Sequence, residues 1–326
     1  MRISVIICTY NRAEILRETL QGFVDVAGDA PSPWELILVD NNSKDATKEV
    51  CECFAGKIPL IYIHEPRQGQ SVSVNTGIEA AKADLIALTD DDVNVDPRWM
   101  NAYVEAAATH ATADFFGGKV ISKWQEPPPR WFLDNVDMIR SNPRIDLGED
   151  AIKFTRGSAP VFIGANMALR RSLFEKGYKF REDLGPQGDG KKGGQVGPYE
   201  LEWETRVMEG GYEGVYVPRS VVNHRDPPWR MTEKYVRHWY AVAGRIRVRL
   251  GEVPAGREWF GAPRYLWREW GMNFAKYVSR RAFPPTRVWV EAMCRMSIAW
   301  GSITEYRKQL RESRNERKNP THALET

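Results

Sequence analysis

Over residues 3–92 the chain alternates short apolar runs with stretches of helical spacing, and each run stops at polar or acidic residues. Ile3-Ser4-Val5-Ile6-Ile7-Cys8 and Trp34-Glu35-Leu36-Ile37-Leu38-Val39 lack the period-2 alternation of a half-exposed strand. Each therefore reads as a strand buried on both faces. Between them Ile15, Leu16, Leu20 and Phe23 recur at helical spacing over residues 13–23. Further helices are expected over 46–54 and 73–82, with strands over 58–63 and 85–89. This alternation argues for a parallel, doubly wound α/β sheet, a fold that binds ligands beyond the carboxyl ends of its strands. With a strand opening at residue 3, no targeting segment is expected.

The fourth run, Leu85-Ile86-Ala87-Leu88-Thr89, ends in Asp90, Asp91 and Asp92. Three adjacent carboxylates at a buried strand end repel one another unless a cation joins them. Hard oxygen ligands favour Mg2+ or Mn2+, ions whose open positions phosphate oxygens complete. The cluster reads as a metal-diphosphate site. The alternative is an Asp-rich turn capping the helix expected after residue 97, since Asp is favoured in turns and at caps.

Val5-Ile6-Ile7-Cys8-Thr9-Tyr10-Asn11-Arg12, Val39-Asp40-Asn41-Asn42-Ser43, Asn75-Thr76-Gly77-Ile78 and Thr89-Asp90-Asp91-Asp92 resemble, in order and spacing, the successive signatures of family 2 glycosyltransferases, which have the GT-A fold. Gly164-Ala165-Asn166-Met167-Ala168-Leu169-Arg170-Arg171 is similar to the family's acceptor-side segment, and residues 212–224 to its strand pair ending in histidine. The resemblance covers about residues 3–240. It implies a GT-A type, doubly wound, mostly parallel α/β sheet with flanking helices. The implied activity is a metal-dependent, inverting transfer from a nucleoside-diphosphate sugar, UDP-linked in expectation, to an acceptor hydroxyl in polysaccharide or glycolipid synthesis.

The same resemblance assigns nucleotide contacts to Thr9, Tyr10, Arg12 and Asp40, ribose contact to Asp90, and Mn2+ or Mg2+ binding to Asp92 and Asp90, with Asp91 between them in the donor site. The residue types suit these roles, because an aromatic stacks on a base and a carboxylate accepts hydrogen bonds from base or sugar. Arg67 is a further donor contact through a guanidinium suited to phosphate. The alternatives are ordinary loop residues at a helix start for Tyr10 and Arg12, and a solvated arginine for Arg67. Many relatives carry an arginine just before the asparagine of Asn75-Thr76-Gly77-Ile78, where this chain has Val74. Diphosphate binding must then lean on other groups.

Relatives open a helix with an acidic pair that includes the catalytic base. The matching stretch is Tyr199-Glu200-Leu201-Glu202-Trp203-Glu204, with Glu200 where aspartate is usual. An inverting transfer needs a carboxylate that takes the proton of the acceptor hydroxyl. Glu200 is the candidate and Glu202 the second, against the alternative that glutamates in a first turn merely suit the helix dipole. His224, after Val221-Val222-Asn223, matches a histidine that relatives place near the metal or diphosphate; a lone histidine is otherwise structural. The glycine-rich residues 185–198, with Lys191 and Lys192, are expected to form a lid over donor and metal, or else a plain flexible loop. The Gly-x-Gly-x-x-Gly match at 188–193 follows no strand and is no dinucleotide fingerprint.

Charge divides the chain: residues 227–326 hold 20 basic and 9 acidic side chains, against 26 and 34 in residues 1–226. A boundary is expected at Pro227-Pro228, between a catalytic domain, 1–226, and a basic, Trp-rich helical appendage, 227–326. Its helix over 231–250 carries Arg237, Arg245, Arg247 and Arg249, and its polar end, 311–326, is expected to fray. Arginines with Trp229, Trp239, Trp259, Trp267, Trp270, Trp289 and Trp300 suit either a packed appendage or contact with an anionic membrane. Nucleic acid is not an expected partner, since no recognition motif accompanies the charge. Residues 288–303, interrupted by Glu291 and Arg295, are too short to span a bilayer. Cys8, Cys51, Cys53 and Cys294 show neither a disulfide framework nor zinc spacing, which suits a reducing cytosol. The expected location is cytoplasmic, either free or peripheral on the inner face of the plasma membrane.

Expected partners are a nucleotide-sugar donor and a glycan or lipid-linked acceptor. Transfer to a polyprenyl phosphate is an alternative, in which an already ionised acceptor would not need Glu200 as base. A different class is a nucleotide-sugar-binding protein that has lost catalysis. Trp124 and Trp131, around Pro127-Pro128-Pro129, are expected either to stack on the transferred sugar or to join the core.

Overall fold

The computed structural model describes residues 2–186, 199–280 and 286–318. They form two compact units, Met1–Gln125 with Pro143–Asp226, and Glu126–Asn142 with Pro227–Thr326. The segment 126–142, which holds Trp131, is thus built into the second unit.

The first unit centres on a sheet of β1 (Ile3–Thr9), β2 (Trp34–Asp40), β3 (Leu60–His64), β4 (Leu85–Asp90), β5 (Val93–Val95), β6 (Phe115–Trp124), β7 (Lys153–Phe154), β8 (Met167–Arg170) and β9 (Gly214–Asp226). Their spatial order is β3-β2-β1-β4-β8-β6-β9-β5, with β7 on β9. Flanking helices are α1 (Ala13–Val26), α2 (Thr47–Glu52), α3 (Gln70–Ala80), α4 (Trp99–Thr109), α5 (Arg171–Glu175) and α6 (Tyr199–Glu209). Every residue of β1 and β2 is buried, as their unbroken apolar runs predict. α1 lays Leu16, Leu20 and Phe23 fully into the core, each contributing about 1.5–3 kcal/mol.

Register, more than composition, positions the site. β1 runs parallel to both β2 and β4, with Thr9 opposite Asp40 and Cys8 opposite Asp90. Three strands therefore deliver their carboxyl ends side by side. The chain then passes through the aspartates directly into β5, which pairs antiparallel with β9 so that Val93 faces His224. This pairing carries a histidine from late in the chain to the acidic turn. The result is an α/β fold with a mixed, mostly parallel sheet; its antiparallel pairs, β4–β8, β6–β8, β5–β9 and β7–β9, join distant segments that βα alternation alone does not announce.

The second unit contains α7 (Glu233–Arg249), a short hairpin of β10 (Glu258–Trp259) and β11 (Ala262–Pro263), α8 (Arg264–Ser279) and α9 (Arg287–Lys318). Thr232 caps α7 by accepting from the Tyr235 amide at 3.2 Å, the usual role of Thr before a first turn. α7 and α9 approach closely because Gly244 and Gly301 carry no side chain: a Cβ on either would overlap backbone of the facing helix. Arg249 is engaged there by Glu305 at 2.8 Å. Trp131 packs edge-on against Trp289 with ring centroids 5.8 Å apart, and the Tyr240 hydroxyl donates to the Met138 carbonyl at 3.0 Å. Residues 311–318, expected to fray, continue α9; 319–326 lie outside the described residues. Among the described residues no helix is long and apolar enough to cross a membrane.

Candidate active site

The loops after β1 and β2 are stitched together by two residues in the left-handed region, Asn11 (φ 51°) and Asn42 (φ 64°), a conformation asparagine tolerates. The Asn11 amide donates to Ser43 Oγ, and Asn11 Oδ1 accepts from the Lys44 amide at 2.7 Å. Asp40 is buried and committed to its own loop: one oxygen accepts from the Ser43 amide and the other from the Tyr62 hydroxyl. Asn41 accepts from the Gly69 amide and donates to the Arg67 carbonyl, fixing the segment that presents Arg67. The Arg67 guanidinium itself is chelated by Glu65 at 2.9–3.0 Å, which holds the Glu65 carboxyl down at about 2.

The acidic turn is met by a cation from the chain itself. Arg12 places one guanidinium nitrogen 2.6 Å from Asp91 and the other 2.7 Å from Asp92, and Thr9 Oγ1 donates to Asp91 at 2.7 Å. Burial is the largest influence on the Asp91 carboxyl and raises it, with Arg12 opposing the rise and the charge of Asp92 adding to it. Thr9 and Asp91, both buried, and the half-buried Arg12 thus form one polar knot at the strand ends.

Asp90, Asp92 and His224 gather on another side of this turn. Each offers a ligand atom, and the three atoms lie within 4.8 Å of one another. His224 Nε2 stands 3.2 Å from Asp92 Oδ1 and 3.9 Å from Asp90 Oδ2, while Nδ1 stands 3.2 Å from Asp226 Oδ1. With a metal at Nε2, the Asp226 carboxylate beside Nδ1 would be the partner that orients a metal-binding histidine. Two carboxylates and an imidazole nitrogen are a donor set that fits Mn2+ or Mg2+. Asp226 was not reached by reading motifs, yet it sits two residues after His224 on one strand, and period 2 puts both on one face.

Glu200 occupies the first turn of α6, and its Oε1 accepts from the Gly164 amide at 3.1 Å. Burial raises its carboxyl to about 7, against the lowering effect of backbone donors and with help from the charge of Asp90. The fit is close: a Cβ on Gly164 would stand 2.8 Å from the Tyr199 hydroxyl and 3.0 Å from Glu200 Oε1. Glu202 instead pairs with Arg206 along the helix at 3.0 Å. One turn beyond Glu200, the fully buried Glu204 accepts from the Val161 amide at 3.1 Å, so two glutamates spaced i, i+4 hold the 161–164 segment. Asn166, in the segment that resembles the family's acceptor side, is also buried. Its Oδ1 accepts from Trp99, Tyr103 and Ser220, and its Nδ2 donates to the carbonyls of Lys119 and Ser220. Tyr10 sits half-exposed at the start of the first loop. Lys191 and Lys192 of the expected lid lie outside the described residues.

Residues 4–178 match the family described as Glycosyl transferase family 2. The chain is 26% identical over 232 residues to a glucosyl-dolichyl phosphate glucuronosyltransferase of Haloferax volcanii, a match covering 69% of each chain. It is 28% identical over 255 residues to a hyaluronan synthase of Pasteurella multocida, covering 71% of this chain and only 25% of that protein. Among solved structures, TarS residues 1–349 of S. aureus in complex with UDP-GlcNAc aligns with a TM-score of 0.53 at 15% identity, covering 96% of this chain and 92% of the other. That last likeness is one of fold.

Proposed function

The chain belongs to glycosyl transferase family 2 and is a nucleotide-sugar glycosyltransferase; from that premise we propose a metal-dependent, inverting transfer from a nucleoside-diphosphate donor, UDP-linked in the first instance, to a hydroxyl of a glycan acceptor. The observation that carries this reading is the placement of Glu200, which opens its helix with Oε1 on the Gly164 amide at 3.1 Å, a setting in which burial lifts its carboxyl to about 7. A base of that strength is close to half ionised at neutral pH, where proton transfer is most effective. Glu200 takes the acceptor proton as the acceptor oxygen attacks the anomeric carbon. The bond from that carbon to the diphosphate breaks on the opposite face, its electrons leave with the diphosphate, and the configuration inverts.

Asp90, Asp92 and His224 would hold Mn2+ or Mg2+, which neutralises charge building on the leaving diphosphate. Thr9 and Arg12 serve by fixing Asp91 and Asp92; Asp40 shapes the nucleotide-side loop through Ser43 and Tyr62, and the half-exposed Tyr10 and exposed Arg67 are the groups on that side left to meet the donor. An acceptor hydroxyl is favoured over polyprenyl phosphate because an ionised phosphate needs no base. A relative named for glucosyl-dolichyl phosphate supports a glycan already carried on lipid, and the basic residues 227–326 suit work at the inner face of a membrane.

The test is release of nucleoside diphosphate from a panel of nucleotide sugars with Mn2+. Glu200→Gln should lower turnover by on the order of 10² while donor affinity stays nearly unchanged. A collapse of donor affinity would move Glu200 into the donor site, and no change would pass the role to Glu202. A wild-type protein that binds donors but never cleaves them would be a binding protein.

A further inference from the structure

The second unit exposes a run of aromatic side chains beyond what fills its core. At the tip of the β10–β11 hairpin Phe260 is 69% exposed and Trp259 55%. Ring contacts carry the surface from these two through Trp267 and Trp270 to Phe274 and Trp300, with centroids 5.1–6.5 Å apart. Trp267 and Trp270 lean inward on a cluster that includes Val248, Leu266 and Ile303, and the Trp267 indole donates to the Trp259 carbonyl at 2.7 Å. Phe274 and Trp300 face outward at 43% and 41%.

Two local costs meet at Phe260. Its ring stands in water, and its φ of 48° lies in the left-handed region that bulky side chains rarely adopt. Strain at an exposed apolar tip points to a use outside the unit's own packing. Cations border the face. At about 100° per residue, Trp267, Trp270 and Phe274 share one side of α8, and the exposed Arg264 and Arg268 follow next around the helix. On α9 Arg307 falls seven residues after Trp300, on the same side, and lies against Gly261 of the hairpin.

We propose that the face formed by Trp259, Phe260, Trp270, Phe274 and Trp300 docks this protein on the anionic surface of a lipid bilayer. Indole and phenyl rings seat at headgroup depth while flanking arginines meet lipid phosphates. A protruding aromatic tip needs only the soft headgroup layer, whereas a protein partner would have to supply a matching cavity. The surface deepens the membrane location argued above and rests on it for its purpose, but lipid binding is measured without donor or acceptor.

The experiment is flotation of the full chain with vesicles of phosphatidylcholine alone and of phosphatidylcholine with phosphatidylglycerol. The wild type should float with the anionic vesicles at low salt, float poorly with neutral ones, and be released as salt rises. Phe260→Asn introduces a residue at ease with positive φ and should melt at or above the wild type, and Phe274→Gln keeps helix propensity and should melt close to it. Each should weaken partitioning by about five- to tenfold through lost aromatic burial. Wild-type protein staying in the soluble fraction on anionic vesicles would overturn the proposal. So would variants that float like the wild type, or a wild-type dimer that Phe260→Asn dissociates. Donor cleavage in lipid-free buffer should be equal in wild type and variants. Its absence in all of them, with flotation as expected, would remove the transferase reading and leave the lipid surface standing.

Discussion

Arg12 holds Asp92 at 2.7 Å across 80 residues of sequence, and its other guanidinium nitrogen holds Asp91. The acidic turn is therefore an ion-paired element before any metal arrives, and the pair fixes the orientation of Asp92 toward His224. Removing the Asp92 charge breaks a buried contact. Asp92→Asn should lose metal-dependent nucleotide binding and also cost about 1–2 kcal/mol of stability, moderated because Arg12 keeps Asp91 and some solvent. Thermal melts without metal measure the second effect; an unchanged or raised melting temperature would mean that repulsion among the aspartates dominates.

As the proposed base, Glu200 would tie activity to stability through pH. The folded protein holds this proton up to about 7, whereas an unfolded chain releases it near 4.3. Native Glu200 thus binds the extra proton between these values, its contribution to stability falls as pH rises through the window, and it stays low above 7. Glu200→Gln, neutral at every pH, should melt above the wild type at pH 8 and close to it near pH 4. Turnover of the wild type should rise through pH 7 with a single ionisation. A flat difference in melting temperature across pH would remove the raised carboxyl.

Gly164→Ala tests the placement of the base without touching its chemistry. The new methyl would stand 3.0 Å from Glu200 Oε1 and push the carboxylate aside. Turnover should fall about ten- to hundredfold with donor affinity unchanged, since small displacements of a reacting group are costly. Steady-state kinetics with a separate donor titration distinguishes this from a general loss of fold.

Asn166 belongs to the acceptor-side segment by resemblance, yet its bonds are all internal. Asn166→Ala would leave buried donors of Trp99, Tyr103 and Ser220 without their acceptor. A loss of about 3 kcal/mol or more is expected, read as a lower denaturant midpoint. Wild-type stability would show that water replaces the side chain.

Much of the first unit was legible because local signals and tertiary needs agree there. Unbroken apolar runs became β1 and β2, and the acidic turn stood at the strand end that its sequence marked. What lay hidden came from pairing between distant segments. No local pattern announces that β5 lies against β9, yet that register brings His224 to Asp92. Nor does a lone arginine in the first loop reveal that its partners are Asp91 and Asp92. Trp131 was ambiguous between sugar contact and core because composition cannot say which surface an indole meets; its neighbour is Trp289. The tail's tryptophans divide in the same way, with Trp289 buried and Trp300 facing water.

The most direct measurement is calorimetric titration of the wild type with UDP, and with other nucleoside diphosphates, in Mn2+ and in EDTA. The account predicts binding with Mn2+ that weakens sharply in EDTA, is lost in Asp92→Asn, and falls about ten- to hundredfold in Asp226→Asn, which keeps His224 but withdraws the carboxylate that orients it. Equal affinity in Mn2+ and EDTA, with Asp226→Asn indistinguishable from the wild type, would contradict a metal centre at Asp90, Asp92 and His224.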